Sequence, residues 1–147
     1  MKWFNFKCFK KVGFWLSLIS VICLVAAALS YTNGFTGTLL EYNSGNVMTV
    51  ALTGIGLFVL LLLFKPTANY APMALWIGSF ASLLAYINNI YMYFTGVFYN
   101  GVSAEAFALI DSVVLISTVL FVVSFVIANI AMYMNHTAEE DHTDEKA

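Results

Sequence analysis

Asp111 is the one ionisable side chain that falls well inside an apolar stretch of this 147-residue chain. A charge at the centre of a membrane helix costs about 2.5–3.5 kcal/mol on insertion scales, so an intramembrane acid marks an ion path, a proton relay or a polar lock between helices. Depth gives Asp111 company. If its stretch begins near position 104, Asp111 lies about 10 Å in, at ~1.5 Å of rise per residue. Counting back from the end of an antiparallel third stretch brings Asn88 and Asn89 to a similar level, and Thr53 reaches it from the second. Asp111, Asn88, Asn89 and Thr53 are therefore the candidate ion-coupling cluster, with the carboxylate holding a proton or cation among neutral amide and hydroxyl ligands. The same residues also support a plainer role, in which Asp111 bonds the asparagines and fixes the register of two helices. An acid with neither a basic partner nor a second acid favours the plainer role.

Other chemistry finds no residues to carry it. The chain has no arginine, which removes bidentate clamps for phosphate or carboxylate and argues against nucleic-acid partners. His136 and His142 lie among five of the eight acids, after Met134, at no spacing that resembles a zinc site. Cys8 and Cys23 would stand more than about 20 Å apart along one helix, too far to bridge. There is no serine–histidine pair, no paired acids at one depth and no phosphate-binding glycine loop. No catalytic, metal or cofactor site is expected, and the chain is not read as an enzyme.

The elements that must position Asp111 are unusually apolar. Hydrophobic residues make up 61% of the chain, charged residues only 10%, and the mean hydropathy is +0.86. Four apolar stretches, 12–31, 47–64, 72–97 and 104–134, account for most of it. A bilayer core of about 30 Å takes about 20 helical residues, and each stretch approaches or exceeds that. The expected fold is an all-α integral membrane protein, with residues 1–134 forming four transmembrane helices in an up-down-up-down bundle. Residues 135–147 form an acidic tail expected to be disordered. Lys2, Lys7, Lys10 and Lys11 precede the first stretch and Lys65 follows the second, whereas 32–46 and 98–103 carry no lysine. The positive-inside rule then puts both termini in the cytoplasm of a plasma membrane. Short loops and the lack of arginine point to a bacterial one. The first stretch, about 19 residues, exceeds the 7–15 of a signal peptide's apolar core and is read as retained.

Turn signals delimit the stretches. Pro72 suits the first turn of the third helix. Asn100-Gly101 suits a turn with positive φ. Ser103 followed by Glu105 suits a helix start. The segment 32–46 fits either a small hairpin or a short helix capping the bundle.

Helices in lipid associate through small residues that let backbones approach and through polar side chains that bond across the gap. Such residues recur at spacings of three and four in the third stretch: Ala74, Gly78, Ala81, Ala85, Asn88, Met92 and Thr95. The first offers Gly13, Ser17, Ser20, Leu24, Ala27 and Tyr31, the second Thr49, Thr53 and Gly56, and the fourth Ser117, Ser124, Ala128 and Ala131. The helix-packing seam is placed on Ala74, Gly78, Ala81, Ala85, Ser117 and Ser124. With so few ionisable groups, the leading expectation is a non-catalytic accessory or structural membrane protein. It would act through helix contacts with a membrane-protein partner or as a homo-oligomer within the lipid bilayer. A small proton- or cation-coupled transporter built on Asp111 is the alternative.

Overall fold

A computed structural model of the chain describes residues 12–43, 45–64 and 66–134. The lysine-rich start, Lys65 and the acidic tail, with its two histidines, lie outside them. The described residues are helical and contain no strand. Four helices are long and apolar enough to cross a membrane. They are α1 (Val12–Gly34), α2 (Gly45–Leu63), α3 (Ala71–Val97) and, after a five-residue helix α4 (Ala104–Ala108), α5 (Ser112–Met132). A helix satisfies every interior backbone group within itself, which is why an apolar chain takes this form wherever water is scarce.

The local signals stop and start the helices. Between α1 and α2 the chain makes a 3-10 helix, Gly37–Tyr42. Gly37 opens it at φ 63°, a conformation that costs a residue with a Cβ. This turn lays Phe35 and Leu39 into the interior, so of the two forms open to 32–46 it takes the short cap. Pro72 sits in the first turn of α3. Gly101 takes φ 104° in the turn that follows α3. Ser103 caps α4, its hydroxyl accepting from the Ala106 N–H.

The fourth apolar stretch departs from expectation. Read as continuous over 104–134, it instead breaks after Ala108 and resumes at Ser112. Asp111 is the N-cap of α5, and its carboxylate accepts from the Val113 N–H at 3.0 Å. An aspartate with β-region backbone is among the best residues for that position, because it satisfies an amide that the new helix cannot. Asp111 is thus an exposed cap at a helix end, not a residue within a continuous helix.

The long helices pack most extensively as two pairs, α1 with α5 and α2 with α3, and α3 with α5 joins the pairs. In α1 all six residues of the expected seam are buried: Gly13, Ser17, Ser20, Leu24, Ala27 and Tyr31. In α5 the expected Ser117, Ser124, Ala128 and Ala131 are buried as well. The two faces meet in descending register. Ser20 donates to the Ser124 carbonyl at 2.8 Å, Ser124 returns a bond to the Ser20 carbonyl at 3.0 Å, and the Ser30 and Ser117 hydroxyls lie 3.1 Å apart. Between the pairs, the interior is filled by Tyr31, Phe35, Tyr86, Ile90 and Phe121 toward the Gly37–Tyr42 turn. At the other end Phe14, Phe58, Leu62 and Leu75 fill it.

Candidate functional site

The four residues of the candidate ion-coupling cluster bond to different partners. Asp111 caps α5, and its own N–H donates to the Tyr93 phenol oxygen at 2.8 Å. Asn88 is exposed. Asn89, one position on, turns inward and donates to the Tyr31 phenol oxygen at 3.2 Å. Thr53 is exposed on α2, its hydroxyl donating to the Thr49 carbonyl of its own helix at 2.8 Å. No coordination shell forms around the carboxylate, and no basic side chain occurs among the described residues.

What gathers at this end of the bundle is a set of tyrosines. The Tyr31 phenol passes a short hydrogen bond to the Tyr42 carbonyl. The Tyr42 ring meets that of Tyr93 at 5.8 Å, edge to face. Burial pushes the Tyr42 phenol above the usual tyrosine range, and the Glu41 carboxylate beside it adds to the rise. Asn43 ties the turn down by donating to the Thr32 and Phe35 carbonyls. Deeper, the Tyr86 phenol donates to the Val114 carbonyl at 3.0 Å and sits 2.8 Å from the Thr118 hydroxyl, while its ring stacks on Phe121 at 4.7 Å. The Tyr31 and Tyr86 phenols bond carbonyls and a hydroxyl of neighbouring elements, and the Tyr93 phenol accepts from the Asp111 N–H. The set clamps helices together.

An accessible concavity lies elsewhere among the described residues, on the outer side of the α2/α3 pair. It is a groove of about 340 Å³ lined by Thr49, Val50, Thr53, Gly54 and Leu57 of α2 and by Ala74, Ile77, Gly78 and Ala81 of α3. Its floor is the contact of Gly54 with Gly78. A Cβ on either would stand 2.6–2.7 Å from the other's Cα, so the two backbones touch with no side chain between them. Ala74 and Ala81 are too small to cover the gap that this closeness leaves on either side of Gly78.

The expected seam of α3 is thereby relocated. Gly78 is buried, Ala74, Ala81 and Ala85 are half-buried, and Asn88, Met92 and Thr95 are exposed. The line that enters the core is Leu75, Ser79, Ser82, Tyr86 and Ile90. Ile90, a bulky residue off the small-residue stripe, is buried. The two lines lie about 100° apart around the helix. The hydroxyls near the groove are already engaged: Thr49, Thr53, Ser79 and Ser82 each donate to the carbonyl four residues earlier. The groove therefore offers shape and apolar surface, with no free donor.

Comparison of the chain with protein-family models, with curated proteins and with solved structures finds no match. The reading of its function rests on the geometry above.

Proposed function

We propose that the chain is a non-catalytic, multi-pass membrane protein that works as an accessory or structural subunit. Its contact face is the α2/α3 groove, and its partner is the apolar helix of another membrane protein or of a second copy. The observation that carries this reading is the placement of Ala74, Gly78 and Ala81. The small-residue stripe best suited to close helix approach borders an open groove, instead of being used up inside the bundle. In this reading the helices run up-down-up-down, with both termini on the cytoplasmic side of a bacterial plasma membrane. The lysines at both cytoplasmic borders support that orientation. Proton or cation coupling through Asp111, Asn88 and Asn89 has less support, because the carboxylate serves as a helix cap and the two amides part company.

The test is site-specific photo-cross-linking in native membranes. A probe at Ile77, in the groove, is expected to give one discrete adduct, and adding Ala81→Phe to fill the groove should abolish it. The same probe at Val122, exposed on α5, should give none. Equal adducts at both sites, or an adduct at Ile77 that survives the filled groove, would remove the groove as the contact face.

A further inference from the structure

The connection between α3 and α5 exposes more bulk apolar surface than a water-facing turn tolerates. Within eleven positions, Tyr99 is 85% exposed, Val102 77%, Leu109 71% and Phe107 57%. Glu105 is the only charged residue between Phe98 and Ile110.

The packing of α3 against α5 fixes how far this connection can rise. Trp76 meets Phe125 at 6.3 Å between ring centres, Tyr86 meets Phe121 at 4.7 Å, and the Tyr93 phenol accepts from the Asp111 N–H at 2.8 Å. Tyr93 is thus level with the first turn of α5. Val97, where α3 ends, stands only four residues, about 6 Å, further along the axis. The rings of Phe94 and Phe98 stack at 6.2 Å, and Phe98 meets Phe107 edge to face at 5.3 Å, which holds α4 down beside the end of α3. With 21 residues, α5 is about 31 Å long, close to the ~30 Å hydrocarbon core, so its cap marks the boundary of that core. The connection is confined to a layer about one helical turn thick just beyond that boundary. That is the depth at which interfacial helices bury their apolar face, about 5–10 Å into the headgroup region.

We propose that residues 98–110 lie flat in the membrane interface as a lipid-contacting anchor, with Val102, Phe107 and Leu109 inserted at the boundary between headgroups and acyl chains and Asn100 in water. The partner surface is the bilayer that the four helices span, so the anchor rests on the membrane reading. Its consequence is mechanical. Lipid contact holds α4 at the border, and the chain break at Asp111 is kept in the polar layer where its carboxylate stays hydrated.

Spin labels test this in vesicles of phosphatidylethanolamine and phosphatidylglycerol. They are placed singly at Asn100, Val102, Phe107 and Leu109, and at the exposed mid-span positions Leu84 and Val119, in a Cys8→Ser, Cys23→Ala background. Collision with oxygen reports lipid, and collision with a water-soluble nickel chelate reports water. The anchor requires the oxygen-to-nickel ratio at Val102, Phe107 and Leu109 to be several-fold above that at Asn100. Ratios equal to Asn100's at all three, with Leu84 and Val119 still shielded from nickel, would overturn the anchor and leave the patch to a soluble protein. Nickel access at Leu84 and Val119 would instead overturn the membrane reading, and the anchor with it.

Discussion

The two helix pairs are held by different means. The α1/α5 pair is stitched by hydroxyls, Ser20 and Ser124 exchanging bonds across the interface and Ser30 meeting Ser117. In the α2/α3 pair the hydroxyls of Thr49, Thr53, Ser79 and Ser82 turn back onto their own helices, and closeness comes from two glycines. Where lipid is as apolar as leucine, burying leucine against leucine earns a pair nothing, so association must come from packing or from polar bonds. This molecule uses one for each pair. The difference has a geometric outcome: the stitched pair closes on itself, whereas the glycine contact leaves an open groove along its outer side.

The largest expected effect comes from breaking the glycine contact. Gly78→Ala puts a methyl 2.6 Å from the Gly54 Cα, and backbone cannot step aside as a side-chain end can. Overpacking of this kind costs about 1–3 kcal/mol, and Gly78→Leu should reach or exceed the upper figure. Unfolding free energies from steric trapping in bilayers would show this. A Gly78→Ala variant within about 0.5 kcal/mol of the parent, the range of an ordinary surface change, would mean the pair does not depend on backbone contact.

The serine stitch should matter less. Ser20→Ala and Ser124→Ala each remove one hydroxyl-to-carbonyl bond, and each is expected to cost about 0.6 kcal/mol and no more than about 1.7 kcal/mol, the range for hydrogen bonds between membrane helices. The same steric-trap measurement provides both values. No loss in either variant would reduce the stitch to small-residue packing, and the two pairs would then be held alike.

These two pairs were not equally legible in the sequence. The α1 and α5 faces could be read because their small residues recur at helical spacing and are themselves what packs. On α3 the same rule gives a line through Ala74, Gly78, Ala81, Ala85 and Asn88, of which only Gly78 is buried. The interior at that level needs bulk, and Tyr86 and Ile90 supply it from a neighbouring face; counting small residues does not detect a face that packs by filling. Asp111 was misplaced for a related reason. The apolar run Phe107-Ala108-Leu109-Ile110 conceals a chain break, and apolar continuity says nothing of helix continuity. The available signal was Asp111 itself followed by Ser112 and then a long apolar run, which is a helix start as much as a buried charge. The helix boundaries at Pro72, Gly101 and Ser103 were legible because each rests on backbone chemistry local to one residue.

The smallest expected effect makes the sharpest comparison. Thr53 and Ser124 are both hydroxyl residues near mid-helix, and both are engaged: Thr53 bonds the Thr49 carbonyl of its own helix, whereas Ser124 bonds across to Ser20. Thr53→Val keeps the branched shape and removes only the hydroxyl. The Thr49 carbonyl remains the natural acceptor of the Thr53 backbone N–H within the helix, so no buried group loses its only partner. A bond of this i−4 kind slightly destabilises and bends helices instead of stiffening them, so Thr53→Val should change stability by less than about 0.5 kcal/mol, the range of an ordinary surface substitution. If it instead costs as much as Ser124→Ala in the same measurement, hydroxyls would contribute regardless of where they point. The contrast between a stitched pair and a glycine-packed pair would then lose its physical basis.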